Sequence, residues 1–233
     1  MKNKGLIMAL LCWSLIFGAC GTRNRVILRP PDPEHRERQD EVFLIGEIIA
    51  SKGGAPEANL PNWINRLTRG GIREVERLNA YSNKYVFIGR NRGNNFIALS
   101  RWSENFTVFH DFPRLAAIRI ENRLTSAASL YPDDEYGDFF TAMIRLASDA
   151  EYPDAVIEDI YWIKTRTMQG GSEADRPMEP LELYEFFVLI SIDKPAMQNH
   201  VRRLMAEATA TANPNRAQRA SINRVQQIFF EDF

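Results

Sequence analysis

Two apolar runs rich in β-branched and aromatic residues, 156–167 (VIEDIYWIKTRT) and 183–192 (LYEFFVLISI), set the tightest limit on what this chain can fold into. Strand side chains alternate between two faces. In the second run Tyr184, Phe186, Val188, Ile190 and Ile192 fall on one face, and the other is mixed. The segment between the runs, 168–180, is rich in Gly, Ser, acids and Pro, which suits a long hairpin connection. A sheet built around an antiparallel hairpin is the expected centre of the fold.

The remaining elements arrange around it. Residues 42–50 (VFLIGEIIA) read as a short buried strand and 60–79 as a helix bent at Gly70-Gly71. Residues 84–89 (KYVFIG) read as a strand, followed by a polar turn over 90–95 (RNRGNN). Residues 96–106 read as helix, because Ile97, Leu99 and Trp102 do not alternate. A helical pair follows, one face carrying Phe112, Ala116, Ile120, Leu124 and Ala127, the other Tyr136, Phe139, Phe140, Met143, Ile144 and Ala147. Acids open the second of these helices, where the helix dipole favours them. After the hairpin, Asp193 is placed to cap a helix with Pro195 in its first turn and Met197, Val201, Leu204, Met205 and Ala208 as its buried stripe. Pro214 separates a last helix, with Ala217, Ser221, Val225 and Ile228 inward. The aromatic carboxyl end does not alternate like a barrel strand, since Glu231 and Gln227 interrupt it. No period repeats. The order implies one α+β domain over residues 41–233, a small mostly antiparallel sheet with helices packed on one face.

The amino terminus carries an address. Lys2 and Lys4 precede a nearly unbroken apolar run over 6–17, then small Gly18 and Ala19, then Cys20. That is the three-part pattern of a secretory signal, and the run is shorter than the ~20 residues of a membrane span. Phe17-Gly18-Ala19-Cys20 resembles a bacterial lipobox. The resemblance implies a signal peptide over 1–19, cleavage before Cys20 and lipid attachment at that cysteine. Phe17 departs from the usual Leu, as looser lipoboxes such as those of spirochaetes allow. Cys12 leaves with the signal, so the mature chain has no free thiol, as suits an oxidising envelope. Residues 20–40, with Pro30, Pro31, Pro33 and many charges, read as a tether.

Few residues beyond this suggest chemistry. Lys+Arg 29 against Asp+Glu 30 leaves a net charge of −1, with no basic excess for nucleic acid. His35, His110 and His200 lie in different elements, and no metal-ligand spacing or cofactor motif is present. His200 is expected on a solvated face. Adjacent His110 and Asp111 are explained by a helix start, and the acids at 133–138 by capping. Glu158 and Asp159 are expected on opposite faces of a strand. Gly170-Gly171-Ser172 has no triad partner. Arg90 and Arg92 are suited to gripping a carboxylate or phosphate, a solvated turn being the plainer reading. Trp63, Trp102, Trp162, Tyr161 and Tyr81 are many large rings for a small sheet, and most are expected in the core. Tyr161 and Trp162 fall on opposite sides of one strand, and whichever is exposed marks a partner or ligand surface.

The phrases KYVFIGRNRGNNFIALSRW (84–102), DFPRLAAIRIENRLTSAASLYPDDEYGDFF (111–140) and ELYEFFVLISIDK (182–194), with the lipobox, resemble spirochaete envelope lipoproteins of unassigned function. The architecture is more distantly similar to small periplasmic lipoproteins of the LpoB type, which activate cell-wall synthases by binding them. These resemblances imply a lipid-anchored, non-enzymatic module that docks an envelope protein in assembly or maintenance, with the membrane as second partner. Gly21 is not the Asp that retains such proteins at the inner membrane, which favours the outer membrane with the domain in the periplasm. The alternative is an envelope hydrolase or a small-ligand-binding lipoprotein with an unrecognised site.

Overall fold

The computed structural model describes residues 46–54, 60–131, 136–169, 179–231 and 233. The expected signal peptide, Cys20, the expected tether with His35, residues 41–45, the acids at 133–135 and Gly170-Gly171-Ser172 lie outside the described residues. The elements are β1 (Glu47–Ser51), α1 (Asn62–Glu76), a 3-10 turn (Asn79–Tyr81), β2 (Lys84–Gly93), α2 (Phe96–Asn105), α3 (Phe112–Ala128), α4 (Gly137–Asp149), β3 (Val156–Gln169), β4 (Glu179–Asp193), α5 (Lys194–Ala212) and α6 (Arg216–Glu231). The sheet order is β1-β3-β4-β2 and every pairing is antiparallel. The domain is α+β, as its sequence pattern implies.

The β3–β4 hairpin is the spine, with strands of 14 and 15 residues. Alternation along the strands separates two apolar clusters. Tyr85 and Phe87 of β2 with Val188, Ile190 and Ile192 of β4 meet α3, α4, α5 and α6. Val86, Ile88, Tyr161, Ile163, Phe187 and Leu189 point the other way and meet Trp63, Ile64, Leu67 and Val75 of α1. Helices therefore do not share a single face: α3 to α6 lie on one side and α1 forms a third layer on the other. The reason is that β4 is apolar on both faces in its middle, where Phe186 to Ile190 are all buried, so both sides need a cover.

Local chemistry explains the main departures from regularity. α1 kinks at Gly70 and Gly71, and Gly71 has φ 72 and ψ −166, a conformation open only to glycine. β2 runs on to Gly93, opposite Tyr184, so residues 90–93 are strand and not the expected polar turn. At Gly89 a Cβ would come within 2.7 Å of Phe106, whose ring lies over the strand. β2 is an edge strand, and part of its edge is capped. The Val86 N–H donates to Glu76 (2.9 Å), and Arg119 bonds both Glu76 (2.7 Å) and the Val86 carbonyl (3.2 Å). The expected stripe of α5 is fully buried. In α6, Ser221 and Val225 are buried but Ala217 is exposed. Phe233 is buried against Tyr85 (4.8 Å between ring centres) and Phe229 (4.5 Å).

Candidate functional site

Among the described residues the sheet outruns its helices at the hairpin end, and of the sequence-predicted site residues Trp162, Arg90 and Arg92 lie toward that end. On the face shared with α2, β3 presents Trp162, Lys164 and Arg166, paired across to Phe186, Tyr184 and Glu182 of β4. α2 brings Phe96 onto this face. Its amino terminus is fixed by Asn95, whose side-chain oxygen accepts the Ala98 N–H at 3.0 Å. The Phe96 ring meets Trp162 (5.2 Å), Tyr184 (5.2 Å) and Phe186 (5.4 Å) edge-on. Phe186 is buried, Trp162 and Tyr184 are half-buried, Phe96 is exposed, and Ile97 beside it is 65% exposed.

A charged rim borders the rings. Glu182 accepts from Lys164 (2.6 Å) and from Arg166 (2.7 Å), and the Lys164 ammonium also lies 5.4 Å from the centre of the Tyr184 ring. The hydrogen bond from Lys164, then that from Arg166, holds the Glu182 carboxyl below its ordinary range; the same carboxylate raises Lys164 and Arg166. These groups are solvated, so the rim orients more than it stabilises.

Tyr161 and Trp162 do take opposite sides of β3. Tyr161 is buried under α1, and its hydroxyl donates to Ser51 at 3.3 Å. Trp162 remains partly open. Arg90 and Arg92 also sit on the α1 side, in β2, and grip a carboxylate of their own chain. Glu185 has no solvent exposure and takes Arg90 at 2.6 Å and Arg92 at 3.3 Å, with the Thr165 hydroxyl at 3.5 Å. Sequence reasoning did not find Glu185, Phe96 or Tyr184. The signal available for Glu185 was a single acid inside an apolar run.

At the opposite end of the sheet, a bulge between Ile157 and Asp159 overturns the expectation that Glu158 and Asp159 face apart. Ile157 and Ile160 both turn toward the α3–α6 side, so the two acids between them share the α1 side. Glu158 accepts from Lys84 (2.8 Å) and from the Ser191 hydroxyl, and Asp159 accepts from the Trp63 indole (2.9 Å). The Lys84 and Ser191 bonds lower the Glu158 carboxyl; burial, then Glu158, raises the nearby Tyr81 phenol. Both carboxylates are thus taken up in tying β3 to α1, β2 and β4.

His110 is exposed, and Asp111 accepts the Thr107 N–H (2.8 Å) in the turn before α3. His200 is not solvated as expected; it is half-buried against Tyr152. Among the described residues no group of three or more His, Cys, Asp or Glu is placed to hold a metal ion, and no helix is long and apolar enough to cross a membrane. Comparison with protein-family models, curated proteins and solved structures finds no match to this chain.

Proposed function

We propose that this chain is an envelope lipoprotein, anchored through Cys20 and a Pro- and charge-rich tether, whose domain docks a protein partner through the aromatic end of its sheet. Binding, not chemistry, is its task, in envelope assembly or maintenance, with the outer membrane as the favoured site and the domain in the periplasm. The observation that supports this reading is the ring cluster of Phe96, Trp162 and Tyr184 with Ile97, open to water and bordered by Lys164, Glu182 and Arg166. Aromatic anchors inside a polar rim are the composition of protein-binding hot spots. Half-exposed rings held by one another lose little freedom on docking.

Two variants test the two halves separately. Cys20→Ala is expected to stay uncleaved and to leave the membrane fraction after detergent-free lysis and alkaline wash; unchanged partition would overturn the anchor. Ile97→Asp places a charge next to Phe96 in the chain, at the second position of α2, a helix with no acid in its first turn. The helix dipole favours an acid there, so the melting temperature is expected to stay within about 2 °C. In-cell cross-linking followed by mass spectrometry is expected to recover a reproducible envelope protein with wild type and to lose it with Ile97→Asp. An undiminished cross-link in a folded Ile97→Asp protein would place docking elsewhere.

A further inference from the structure

His200, on α5, is held in a way that makes its neutral form part of the fold. Its ring lies 4.5 Å, centre to centre, from that of Tyr152. Tyr152 is 3% exposed, donates its hydroxyl to the Ala147 carbonyl (3.0 Å) near the end of α4, and packs edge-on against Phe112 of α3 (5.1 Å). It belongs to the six-residue connection 150–155 that leads from α4 into β3.

The tautomer follows from donor chemistry. Arg203, one turn along α5, brings a guanidinium nitrogen to 3.0 Å from His200 Nδ1. Arginine only donates, so Nδ1 accepts and the imidazole proton resides on Nε2. That atom is buried and has no hydrogen-bond partner. A second proton has one place to go, Nδ1. Arriving there it breaks the Arg203 bond and sets two cations side by side in a half-buried space. The groups that act on His200 are Arg203 on its own helix, and Tyr152 and Asp154 on the connection packed against it. Burial first and Arg203 second depress the imidazole below its usual 6.5; Asp154 opposes them with less effect.

We propose that His200 is an acid-sensitive latch: neutral, it holds Tyr152 and the connection 150–155 against α5; protonated, it lets that connection open and uncovers the apolar contact between Tyr152 and Phe112. The opening is local. Tyr152 is the connection's one large buried side chain, with only the small Ala155 and Ala150 packed beside it, whereas Met197, Val201, Leu204 and Met205 hold α5 to the core independently.

Linkage gives the direction. In the open state the imidazole titrates near its ordinary value, and in the closed state lower. Closure is therefore fully favoured above about 6.5 and weakens as pH falls through the closed-state value. Each unit between the two values is a tenfold change in the opening constant once pH lies below both.

The test is hydrogen exchange by mass spectrometry on the full-length protein at pH 7.5 and 5, corrected for intrinsic exchange, with NMR titration of its three histidines. Wild type is expected to show His200 titrating below 6.5 and peptides spanning 147–157 exchanging faster at pH 5 than at 7.5, by up to about tenfold for each unit of that depression and by no more than about thirtyfold at this pH, with α3 unchanged. His200→Gln is expected to abolish the acid response. Arg203→Gln is expected to raise the His200 midpoint and shrink the response. The latch is overturned if wild-type exchange does not accelerate, if His200 titrates at or above 6.5, or if the acceleration persists in His200→Gln. Should His200→Gln not fold, the wild-type titration and Arg203→Gln decide the matter.

Discussion

Removing Arg90 is expected to cost this domain more than neutralising the carboxylate it binds. Glu185 has no exposure, whereas the Arg90 and Arg92 side chains are 27% and 37% exposed. In Glu185→Gln the amide keeps the shape and an acceptor oxygen, and both guanidinium groups can turn toward water. The loss is the difference between a charge-assisted and a neutral hydrogen bond, about 1–2 kcal/mol. Arg90→Met keeps an apolar stem over the Phe187 ring, which the guanidinium approaches at 6.0 Å, but leaves a carboxylate that cannot reach water. Arg92 and Thr165 then hold it alone. Breaking a buried pair this way costs about 3–5 kcal/mol, and the remaining Arg92 contact puts the expected loss near 3. At about 2–4 °C per kcal/mol for a domain of this size, melting should fall by ~6–12 °C in Arg90→Met and ~2–8 °C in Glu185→Gln. Differential scanning calorimetry and urea unfolding of Arg90→Met, Glu185→Gln and Glu185→Leu, with Arg90→Met/Glu185→Leu to close the cycle on the Met and Leu singles, would measure this. The double variant is expected to recover most of the Arg90→Met loss, because a matched apolar pair removes the stranded charge. A Glu185→Gln loss as large as that of Arg90→Met, or a strictly additive double variant, would refute the reasoning.

Two further outcomes follow from local geometry. Gly71→Ala is expected to destabilise by about 1–3 kcal/mol, read as a shift in urea midpoint without a change of slope, because no side chain suits the backbone at the α1 kink. The Glu158 carboxyl, held below the usual 4.5 by Lys84 and Ser191, contributes stability that is full above that value and is lost as pH falls through its lowered folded value. Melting curves between pH 7 and 3 should therefore show a smaller acid loss in Lys84→Met than in wild type; parallel curves would remove Lys84 from the account.

What could be read beforehand was whatever depends on one element at a time. The stripe of α5 was legible because a helix with one buried face writes it at fixed spacing, and the hairpin was legible from two runs with turn residues between them. Features that depend on a second element were not. Residues 90–93 look like a turn until Glu185, far along the chain, supplies a partner that draws Arg90 and Arg92 into register opposite Phe187 and Glu185. The bulge at Ile157–Asp159 has no glycine to announce it, and it alone puts Glu158 and Asp159 on one side. His200 reads as solvated from its own helix, but Tyr152, in the connection after α4, covers it. That α1 crosses to the other face follows from β4 being apolar on both sides, which periodicity cannot assign to a particular helix.

Both faces of the hairpin change character at the same level, where the helical cover ends. On the α1 side the apolar series Leu189, Phe187 gives way to Glu185; on the α2 side Ile190, Val188 and Phe186 give way to Tyr184 and then Glu182. The two sides solve the loss of cover differently. On the α1 side Glu185 takes up Arg90 and Arg92, so a partner binding there has to disturb satisfied ion pairs, and that desolvation costs as much as or more than it returns. On the α2 side the rings cover one another only in part, leaving Phe96 36% and Ile97 65% exposed. A partner there displaces water from apolar surface, at about 25 cal/mol for each Å² removed, while Lys164, Arg166 and Glu182 stay wet at the rim. The same shortfall of helix among the described residues therefore leaves one side satisfied and the other partly open, and that asymmetry favours Phe96, Ile97, Trp162 and Tyr184 over the arginines for the proposed docking.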